Sequence, residues 1–339
     1  MPRPKHILVI RLSAMGDVAM AEPVLRSFSK QYPDVKVTVL SREAFKPFFR
    51  NLKNVSFFSA DLKGKHKGII GLFKLSRELK KLEIDAVADL HNVLRTKILK
   101  SFFFGLNVVQ IDKGRQEKKD LVNGKIFQQL KSTHQRYADV FAALGYPLDL
   151  TNPDFPNRAT LNSKIEAVVG ENRAYKWIGI APFAAHEGKM YPLELMKNVI
   201  EALSQTNKVI LFGGGEEEIR QLNLLESEFE NVINVAGMLS LDEELDLISN
   251  LDVMVSMDSS NAHIAAMLGI KVFTLWGVTH PYAGFYPFNQ SKDNSLLANR
   301  NIYPLIPTSI YGNKCPESYT DCMKSIAPQN VVNKVESML

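Results

Sequence analysis

Four loops of the sequence contain residues that could carry out group-transfer chemistry, and each loop follows a short aliphatic run. In the first loop, Gly16 and Asp17 come after the apolar run that ends near Leu12. A carboxylate at the carboxyl end of a strand can act as a general base towards a substrate hydroxyl. Aspartate is also a favoured helix N-cap and glycine a favoured turn residue, so a plain helix start explains the same pair. The sequence leaves both roles open for Asp17.

The second loop contains His186 and Lys189, between a strand that ends at Pro182 and a helix that begins at Pro192. Proline suits the first position of a helix, and the amino end of a helix carries a partial positive charge. A lysine beside such a helix end is a candidate phosphate ligand. A loop lysine is more often only solvated, so its position alone does not assign the role.

The third loop is a run of three glycines at 213–215, followed by Glu216 and Glu217. Glycines lack side chains and let a ligand approach the backbone closely. The carboxylates that follow disfavour phosphate and suit the hydroxyl groups of a sugar such as ribose. The same carboxylates would also stabilise the amino end of a helix.

In the fourth loop, Asp258, Ser259 and Ser260 open a helix whose first turn includes His263. Hydroxyl groups and unpaired backbone N–H groups at a helix start can bind an anion. A plain helix cap explains the serines equally well, but it does not explain His263.

Short runs rich in β-branched residues alternate with helical patterns along the chain, which predicts parallel sheets covered by helices on both faces. The pattern occurs twice, and residues 151–163, rich in proline and polar side chains, lie between the halves. We therefore expect two Rossmann-like, doubly wound α/β domains, whose ligands bind where the strand order reverses. A capping-box pattern at Ser240 and Glu243 predicts the start of a helix. The predicted strands are 6–12, 35–41, 55–59, 84–90 and 107–112 in the first half, and 177–182, 208–213, 232–237, 252–258 and 271–277 in the second.

Composition excludes several classes of protein. With 45% hydrophobic and 23% charged residues among 339, the chain is typical of a globular protein, and its net charge of +5 is too small for a nucleic-acid-binding composition. No stretch approaches the roughly 18 apolar residues of a membrane span, and Arg11 closes the first apolar run too early for a secretory signal. Two cysteines, Cys315 and Cys322, suit neither a disulfide framework nor a metal site. We expect a cytoplasmic protein.

The excess of positive charge is concentrated at residues 63–82, KGKHKGIIGLFKLSRELKKL, where seven Lys or Arg are interleaved with aliphatic and aromatic residues. Two interpretations fit this pattern. The segment is either a solvated amphipathic helix or a surface that contacts anionic lipid headgroups.

Several blocks of the sequence, taken together and in order, resemble the family 9 glycosyltransferases, the ADP-heptose:lipopolysaccharide heptosyltransferases. The resemblance covers essentially the whole chain and implies the GT-B fold, in which two Rossmann-like domains face each other across a cleft. It implies an acceptor-binding domain at 1–157, a nucleotide-sugar-binding domain at 158–327, and a terminal helix at 328–339 that returns to the first domain. The matching blocks are ILVIRLSAMGDVAMAEPVLRSF, DLHNVLRTKIL (similar to a family segment of the type DLQGLLRSALL), GIAPFAAHEGKMYPLE, DLISNLDVMVSMDSSNAHIAAMLGIKVFTLWGVTHP and CMKSIAPQNVVNKVESML.

The resemblance also implies an activity and its site. The activity would be inverting transfer of heptose from ADP-heptose to an anionic, lipid-linked lipopolysaccharide core saccharide at the inner face of the inner membrane, with no metal, other cofactor or nucleic acid. Asp17 would be the catalytic base, and Arg95, Lys118 and Lys119 would face the acceptor. The donor would be bound by Lys189 at the diphosphate, Glu216 at the ribose, and Met238, Asp258, Ser259, Ser260 and His263 around the nucleotide.

The chain departs from the family pattern in three places. Asp258-Ser259-Ser260-Asn261 stands where the family usually has Asp-Thr-Gly-Pro, and Ala19-Met20-Ala21-Glu22 stands where a His/Thr-containing pattern is more usual. The tail also holds fewer cysteines than that of many family members. Two alternatives therefore accompany the main interpretation. One is a transferase of the same fold with another nucleotide sugar or another acceptor. The other is a non-catalytic protein that binds a nucleotide sugar.

Overall fold

The computed structural model describes residues 3–170 and 174–339. Contacts between residues divide the chain into unit 1, formed by Met1–Lys113 and Lys131–Phe155, and unit 2, formed by Gly114–Leu130 and Pro156–Leu339. The division after Phe155 falls close to the predicted boundary after residue 157. Within the described residues, no helix combines the length and the apolar character that crossing a bilayer requires.

Each unit contains one sheet in which all the paired strands are parallel. All ten predicted strands are present. The aliphatic residues of the inner strands are buried, whereas the two edge strands of the first sheet, at 55–59 and 107–110, are only partly buried. The strands of the described residues are β1 (His6–Ile10), β2 (Lys36–Ser41), β3 (Val55–Ser59), β4 (Ala86–Asp89), β5 (Asn107–Gln110), β6 (Trp177–Ala181), β7 (Lys208–Leu211), β8 (Val232–Asn234), β9 (Val253–Met257), β10 (Lys271–Trp276) and β11 (Ser295–Leu297).

Helices fill the connections between the strands. The predicted capping box is present, since the Ser240 N–H donates to Oε2 of Glu243 at 2.8 Å and the Glu243 N–H donates to the Ser240 hydroxyl at 3.4 Å. The α-helices of the described residues are α1 (Met15–Ala19), α2 (Ala21–Gln31), α3 (Gly68–Lys80), α4 (Leu94–Ser101), α5 (Arg115–Val122), α6 (Thr133–Ala143), α7 (Ser163–Val169), α8 (Leu193–Ser204), α9 (Glu216–Glu228), α10 (Leu241–Ile248), α11 (Ser260–Met267) and α12 (Pro328–Glu336).

The order of the strands locates one switch point in each sheet. In unit 1 the order is β3-β2-β1-β4-β5, and in unit 2 it is β11-β10-β9-β6-β7-β8. The chain winds to one side of β1 and then to the other from β4, and it does the same around β6 and β9. The crevices beyond the carboxyl ends of β1 and β4, and of β6 and β9, are therefore the expected ligand sites.

Two expectations about domain membership are wrong. The segment Gly114–Leu130, expected in the first domain, belongs to unit 2, because Leu121 and Leu130 are buried in a cluster with Ala283. The terminal helix α12 does not return to unit 1. It packs on α8 and contributes its valine side chains to the core of unit 2.

Candidate active site

Asp17 lies at the switch point of unit 1, in the helix that follows β1. Oδ2 of its carboxylate is 2.5 Å from Nη2 of Arg11, and Nη1 of Arg11 donates to the Leu90 carbonyl at 2.7 Å, directly after β4. The Arg11 guanidinium is buried, whereas the Asp17 side chain is 30% exposed. Among the described residues, Oδ1 of Asp17 has no hydrogen-bond partner, so this oxygen is available to a substrate.

The geometry gives Asp17 a weak capping contact at the start of α1, so the helix-cap alternative stays open. The N-cap of α1 is Ala14, and Asp17 is the third helical residue. Its carboxylate accepts from the Ala14 N–H only at 3.4 Å, a long and weak contact. The Tyr137 hydroxyl donates to the Asp17 carbonyl at 3.2 Å and so fixes the backbone at this point.

The loop after β4 is organised by the buried carboxylate of Asp89. This group accepts from the N–H groups of His91 and Asn92 at 3.0 and 2.8 Å, and from the Thr96 hydroxyl at 2.9 Å. Nζ of Lys100 lies 2.6 Å from Oδ2 of Asp89 and compensates the negative charge of the carboxylate. The sequence motif from Asp89 onwards therefore serves first to hold the loop beside β1.

His91 is placed by this loop close to the Asp17 region. It is buried, and its Nε2 lies 3.5 Å from the Ser13 hydroxyl. Burial, together with the positive charges of Arg11 and Lys113, lowers the pKa of His91 to about 4. The imidazole is consequently neutral near pH 7.

Arg95, predicted to face the acceptor, is exposed on α4 and borders a cavity of about 430 Å³ in unit 1. The cavity lies beyond the carboxyl ends of β2 and β3. Three of its lining side chains are cationic and two are anionic, so the lining can take up both the charged and the hydroxyl groups of a ligand. The lining residues are Arg42, Glu43, Ser59, Ala60, Asp61, Leu62, Lys63 and Arg95.

Lys189 and Asp258 meet at the switch point of unit 2. Lys189 follows β6 and Asp258 follows β9, and Nζ of the lysine is 2.9 Å from Oδ2 of the aspartate. The same oxygen accepts from the Thr279 hydroxyl at 2.9 Å, and both charged side chains are largely buried. The charge of Lys189 is therefore compensated by Asp258, and a phosphate group bound by this lysine would share or replace that ion pair.

Two close backbone approaches hold Lys189 in place. The Val278 N–H donates to the Gly188 carbonyl at 2.9 Å, and a methyl group on Gly277 would overlap with that carbonyl oxygen. On the other side, a methyl group on Gly312 would overlap with Cγ and Cδ of Lys189, and Gly312 has a φ of +81°. The stem of the lysine therefore lies directly against the backbone at residue 312.

The other predicted donor residues lie around the same edge of unit 2. Ser259 is the N-cap residue of α11, Ser260 is the first residue of that helix, and His263 is buried within it. The Ser259 hydroxyl pairs with the Ser256 hydroxyl at 2.9 Å and makes no side-chain cap bond to α11.

The glycine loop after β7 opens onto free space. A methyl group on Gly214 or Gly215 would meet no atom within 4 Å. The N–H of Gly214 donates to Glu218 at 2.8 Å, so Glu218 braces the loop while Glu216 stays exposed at the start of α9. Met238, which follows β8, is half exposed.

Lys118 and Lys119 lie on α5 in unit 2, whereas Arg95 lies on α4 in unit 1. Lys118 is buried with its Nζ 4.2 Å from the centre of the Phe285 ring, a cation–π distance, whereas Lys119 is exposed. Among residues 3–170 and 174–339, no three His, Cys, Asp or Glu side chains are grouped as ligands for a metal ion.

Three residues of the site were not predicted from the sequence. Arg11 was visible only as the cation that closes the apolar run of β1, and Thr279 only as a hydroxyl shortly after β10. The sequence around Gly312 does not indicate its role, because that role depends on contact with Lys189, more than a hundred positions away.

Comparisons with known proteins bear on both units. The profile of glycosyltransferase family 9 (heptosyltransferase) matches residues 72–306. The lipopolysaccharide core heptosyltransferase OpsX of Haemophilus influenzae is 24% identical over 293 residues, which cover 82% of this chain and 80% of that protein. A family 9 glycosyl transferase from Veillonella parvula has a similar structure, with a TM-score of 0.76 at 18% identity, covering 98% of this chain and 97% of that one. The ADP-heptose lipopolysaccharide heptosyltransferase II of Escherichia coli gives a TM-score of 0.69 at 19% identity, covering 98% of each chain.

The structural likenesses extend over both units and confirm the predicted α/β fold of the GT-B type. The family resemblance of the sequence blocks is confirmed as well, since the profile match spans well over half of the chain. The protein belongs to glycosyltransferase family 9, the heptosyltransferases, and is a glycosyltransferase.

Proposed function

We propose that this glycosyltransferase transfers a heptose from ADP-heptose to a lipid-linked saccharide of the lipopolysaccharide core, with inversion at the anomeric carbon. The observation that carries the proposal is that Asp17 and Lys189 each lie at the switch point of a sheet in a family 9 chain. The names of its relatives, a lipopolysaccharide core heptosyltransferase and an ADP-heptose heptosyltransferase, support the choice of donor and acceptor.

In the proposed reaction, Oδ1 of Asp17 accepts the proton of an acceptor hydroxyl as the hydroxyl oxygen attacks the anomeric carbon of the heptose. The new carbon–oxygen bond forms while the bond from that carbon to the diphosphate breaks, and ADP leaves with the bonding electron pair. A single displacement of this kind inverts the configuration. Arg11 holds the other oxygen of the carboxylate and so directs Oδ1 towards the acceptor.

The leaving diphosphate develops negative charge, which Lys189 and the first N–H groups of α11 would stabilise. Asp258, whose carboxylate accepts from the Thr279 hydroxyl, holds the ammonium group before the donor binds. Because a fixed cation and a helix end can supply this stabilisation, we propose that transfer does not need a divalent metal ion.

The rest of the donor would lie along the neighbouring strand ends. The open glycines Gly214 and Gly215 would give a ribose access to the backbone, and the exposed Glu216 would bind its hydroxyl groups. Met238 and His263 would line the nucleotide pocket, beside Ser259 and Ser260.

For the acceptor, we propose the cavity in unit 1 bordered by Arg42, Lys63 and Arg95, whose positive charges suit an anionic saccharide. A lipid-linked acceptor is embedded in a membrane, so we also propose that the protein works as a peripheral protein on the cytoplasmic face of the inner membrane. Lys119, exposed on α5, stays a proposed acceptor contact.

The test is a transfer assay with ADP-heptose and lipopolysaccharide core acceptors truncated to different extents, followed by mass spectrometry of the product and measurement of ADP release. We expect addition of one heptose and release of one ADP, with ADP-heptose preferred over UDP-, GDP- and CMP-linked sugars. Binding of ADP-heptose with neither transfer nor hydrolysis would instead support the non-catalytic alternative. Turnover of a different nucleotide sugar would overturn the choice of donor.

A further inference from the structure

The outer face of α3 is apolar over its first two turns. Ile69, Ile70 and Phe73 are 65%, 74% and 47% exposed. The opposite side of the same helix is buried in the core of unit 1 through leucine side chains. A surface helix ordinarily presents polar residues to water on its outer face, so these three residues need an explanation.

The exposed surface continues to the end of α4. The ring of Phe73 makes an edge contact with the ring of Phe102, with 5.5 Å between the ring centres. Phe104, two residues further on, is 98% exposed, the highest value among the exposed large hydrophobic residues of the described chain. We call Ile69, Ile70, Phe73 and Phe104 the apolar face of unit 1.

Positive charge surrounds this face. Residues 63–81 contain seven Lys or Arg and one acidic residue, Glu78. Lys63, Lys65 and Lys67 precede α3, and the other basic residues lie on or directly after the helix, all of them exposed. Glu78 is itself compensated by Lys65 at 2.8 Å, so the outer surface of this region is strongly positive.

Charge complementarity selects the partner. A second copy of the chain would bring the same positive surface against this one, and like charges would oppose the contact. An anionic bilayer satisfies both features, because its headgroups attract the basic residues and its acyl boundary accepts the apolar side chains. A pair of signals, apolar and polybasic, is also what stable interfacial binding requires.

We propose that α3 lies in the surface of an anionic membrane, with Ile69, Ile70 and Phe73 inserted, Phe104 contacting the same surface, and the flanking lysines on the headgroups. This proposal rests on the proposed function in one respect only: a lipid-linked acceptor in the membrane would explain why the protein binds the membrane surface. The exposures and charges that carry it belong to unit 1 alone.

The experiment measures binding of the full chain to vesicles that contain neither donor nor acceptor. Vesicles in which about a third of the phospholipid is anionic are compared with purely zwitterionic ones, at low and high salt. We expect binding to the anionic vesicles only, with affinity falling steeply as salt rises. Absence of binding, or equal binding to both kinds of vesicle, overturns the proposal.

Variants then locate the surface. The double variant Ile70→Gln, Phe73→Gln should lose at least about ten-fold in vesicle affinity, since two inserted side chains are removed. Each of Lys74→Gln and Arg77→Gln should lose about five-fold. The matched control is Leu224→Gln, which replaces a residue 56% exposed on α9 in unit 2 and should bind as the wild type does. All of these side chains are exposed, so folding should be preserved.

Two further readouts separate this proposal from its alternatives. If the wild type sediments as a dimer and the double variant as a monomer, a second copy covers the apolar face and the proposal is overturned. In transfer assays, the double variant should lose rate with acceptor embedded in vesicles and keep it with a delipidated acceptor. Because the vesicle measurement uses no sugar nucleotide, failure of the proposed function would leave its result intact, and the reverse also holds.

Discussion

Nη2 of Arg11 lies 2.5 Å from Oδ2 of Asp17, where the carboxyl ends of β1 and β4 meet in unit 1. The guanidinium is itself fixed by the Leu90 carbonyl, so the contact ties the start of α1 to the neighbouring strand. One carboxylate oxygen is thereby held in place, on a side chain that is 30% exposed. The contact fixes the orientation of the carboxylate, as a general base requires. The first two predictions test this role.

Asp17→Asn should lower the rate of transfer by about 10²- to 10⁴-fold, the usual contribution of a general base, because an amide cannot accept the hydroxyl proton. Donor affinity should be unchanged, and the free energy of unfolding should stay within about 1 kcal/mol, since Asn replaces Asp well near a helix start. Steady-state kinetics, nucleotide titration and denaturant unfolding measure the three quantities. Near-normal transfer with an intact acid limb in the pH profile would show that the base lies elsewhere.

Replacement of Arg11 should lower kcat for transfer and leave donor affinity nearly unchanged, because the Asp17 carboxylate loses the contact that holds Oδ2. Arg11→Gln removes the charged partner, whereas Arg11→Lys keeps a cation that can still reach the carboxylate and should recover part of kcat. Because Arg11 is buried, thermal unfolding of both variants is the check on folding. Wild-type kcat in a folded Arg11→Gln variant would show that Arg11 does not position the base.

Lys189→Ala should weaken binding of ADP by about 10- to 100-fold and leave binding of adenosine nearly unchanged, because a charge-assisted contact to phosphate is lost. Calorimetric titration with both ligands measures the difference. The companion variant is Asp258→Asn, which keeps an acceptor for the Thr279 hydroxyl and releases the lysine from its ion pair. ADP affinity in that variant should hold or rise, and an equal loss for adenosine and ADP in Lys189→Ala would remove the phosphate role.

Gly312→Ala should impair ADP binding through Lys189. The added methyl group would overlap with the lysine stem, and the positive φ at residue 312 is unfavourable for alanine by about 1–2 kcal/mol. Gly124→Ala is the matched control, since its φ is +70° and a methyl group there would meet no atom within 4 Å. Thermal unfolding should show similar destabilisation in the two variants, while only Gly312→Ala should lose ADP affinity relative to adenosine. Equal nucleotide binding in both would show that the backbone at 312 does not position the lysine.

Stability should fall on acidification partly because of His91. Its pKa is lowered to about 4 in the folded protein, so the unfolded chain binds the proton more readily as the pH drops below about 6.5. The contribution of the neutral ring is fully present above about pH 6.5 and is lost progressively towards pH 4, by about 2–3 kcal/mol in total. His91→Gln removes the titrating group, so unfolding free energies measured from pH 7 to pH 4 should decline less steeply in that variant. If the unfolding free energies of wild type and variant declined equally with pH, His91 would not be the group whose protonation lowers stability.

Local sequence was sufficient for most of the secondary structure. Ten strands follow from runs of β-branched residues, because strands buried on both faces need continuous apolar side chains. The Ser240–Glu243 capping box follows from a pattern four residues long. β11 was not predicted, because its three residues, Ser-Leu-Leu, include none of the β-branched residues that mark the other strands. Asp17 and Lys189 could be identified as candidates because each follows a strand end.

The tertiary structure alone decided which of these residues meet. Lys189 and Asp258 form a pair only because β6 and β9 are neighbours, and strand order depends on packing between distant segments rather than on local propensity. The apolar stripe of α12 predicts burial but not the surface that buries it, and the surface proved to be α8 in unit 2. The contact of Gly312 with the stem of Lys189 and the grouping of Ile69, Ile70 and Phe73 on an outer face likewise required the folded chain. Sequence specifies the chemistry and backbone preference of each residue, whereas proximity and exposure arise from long-range packing.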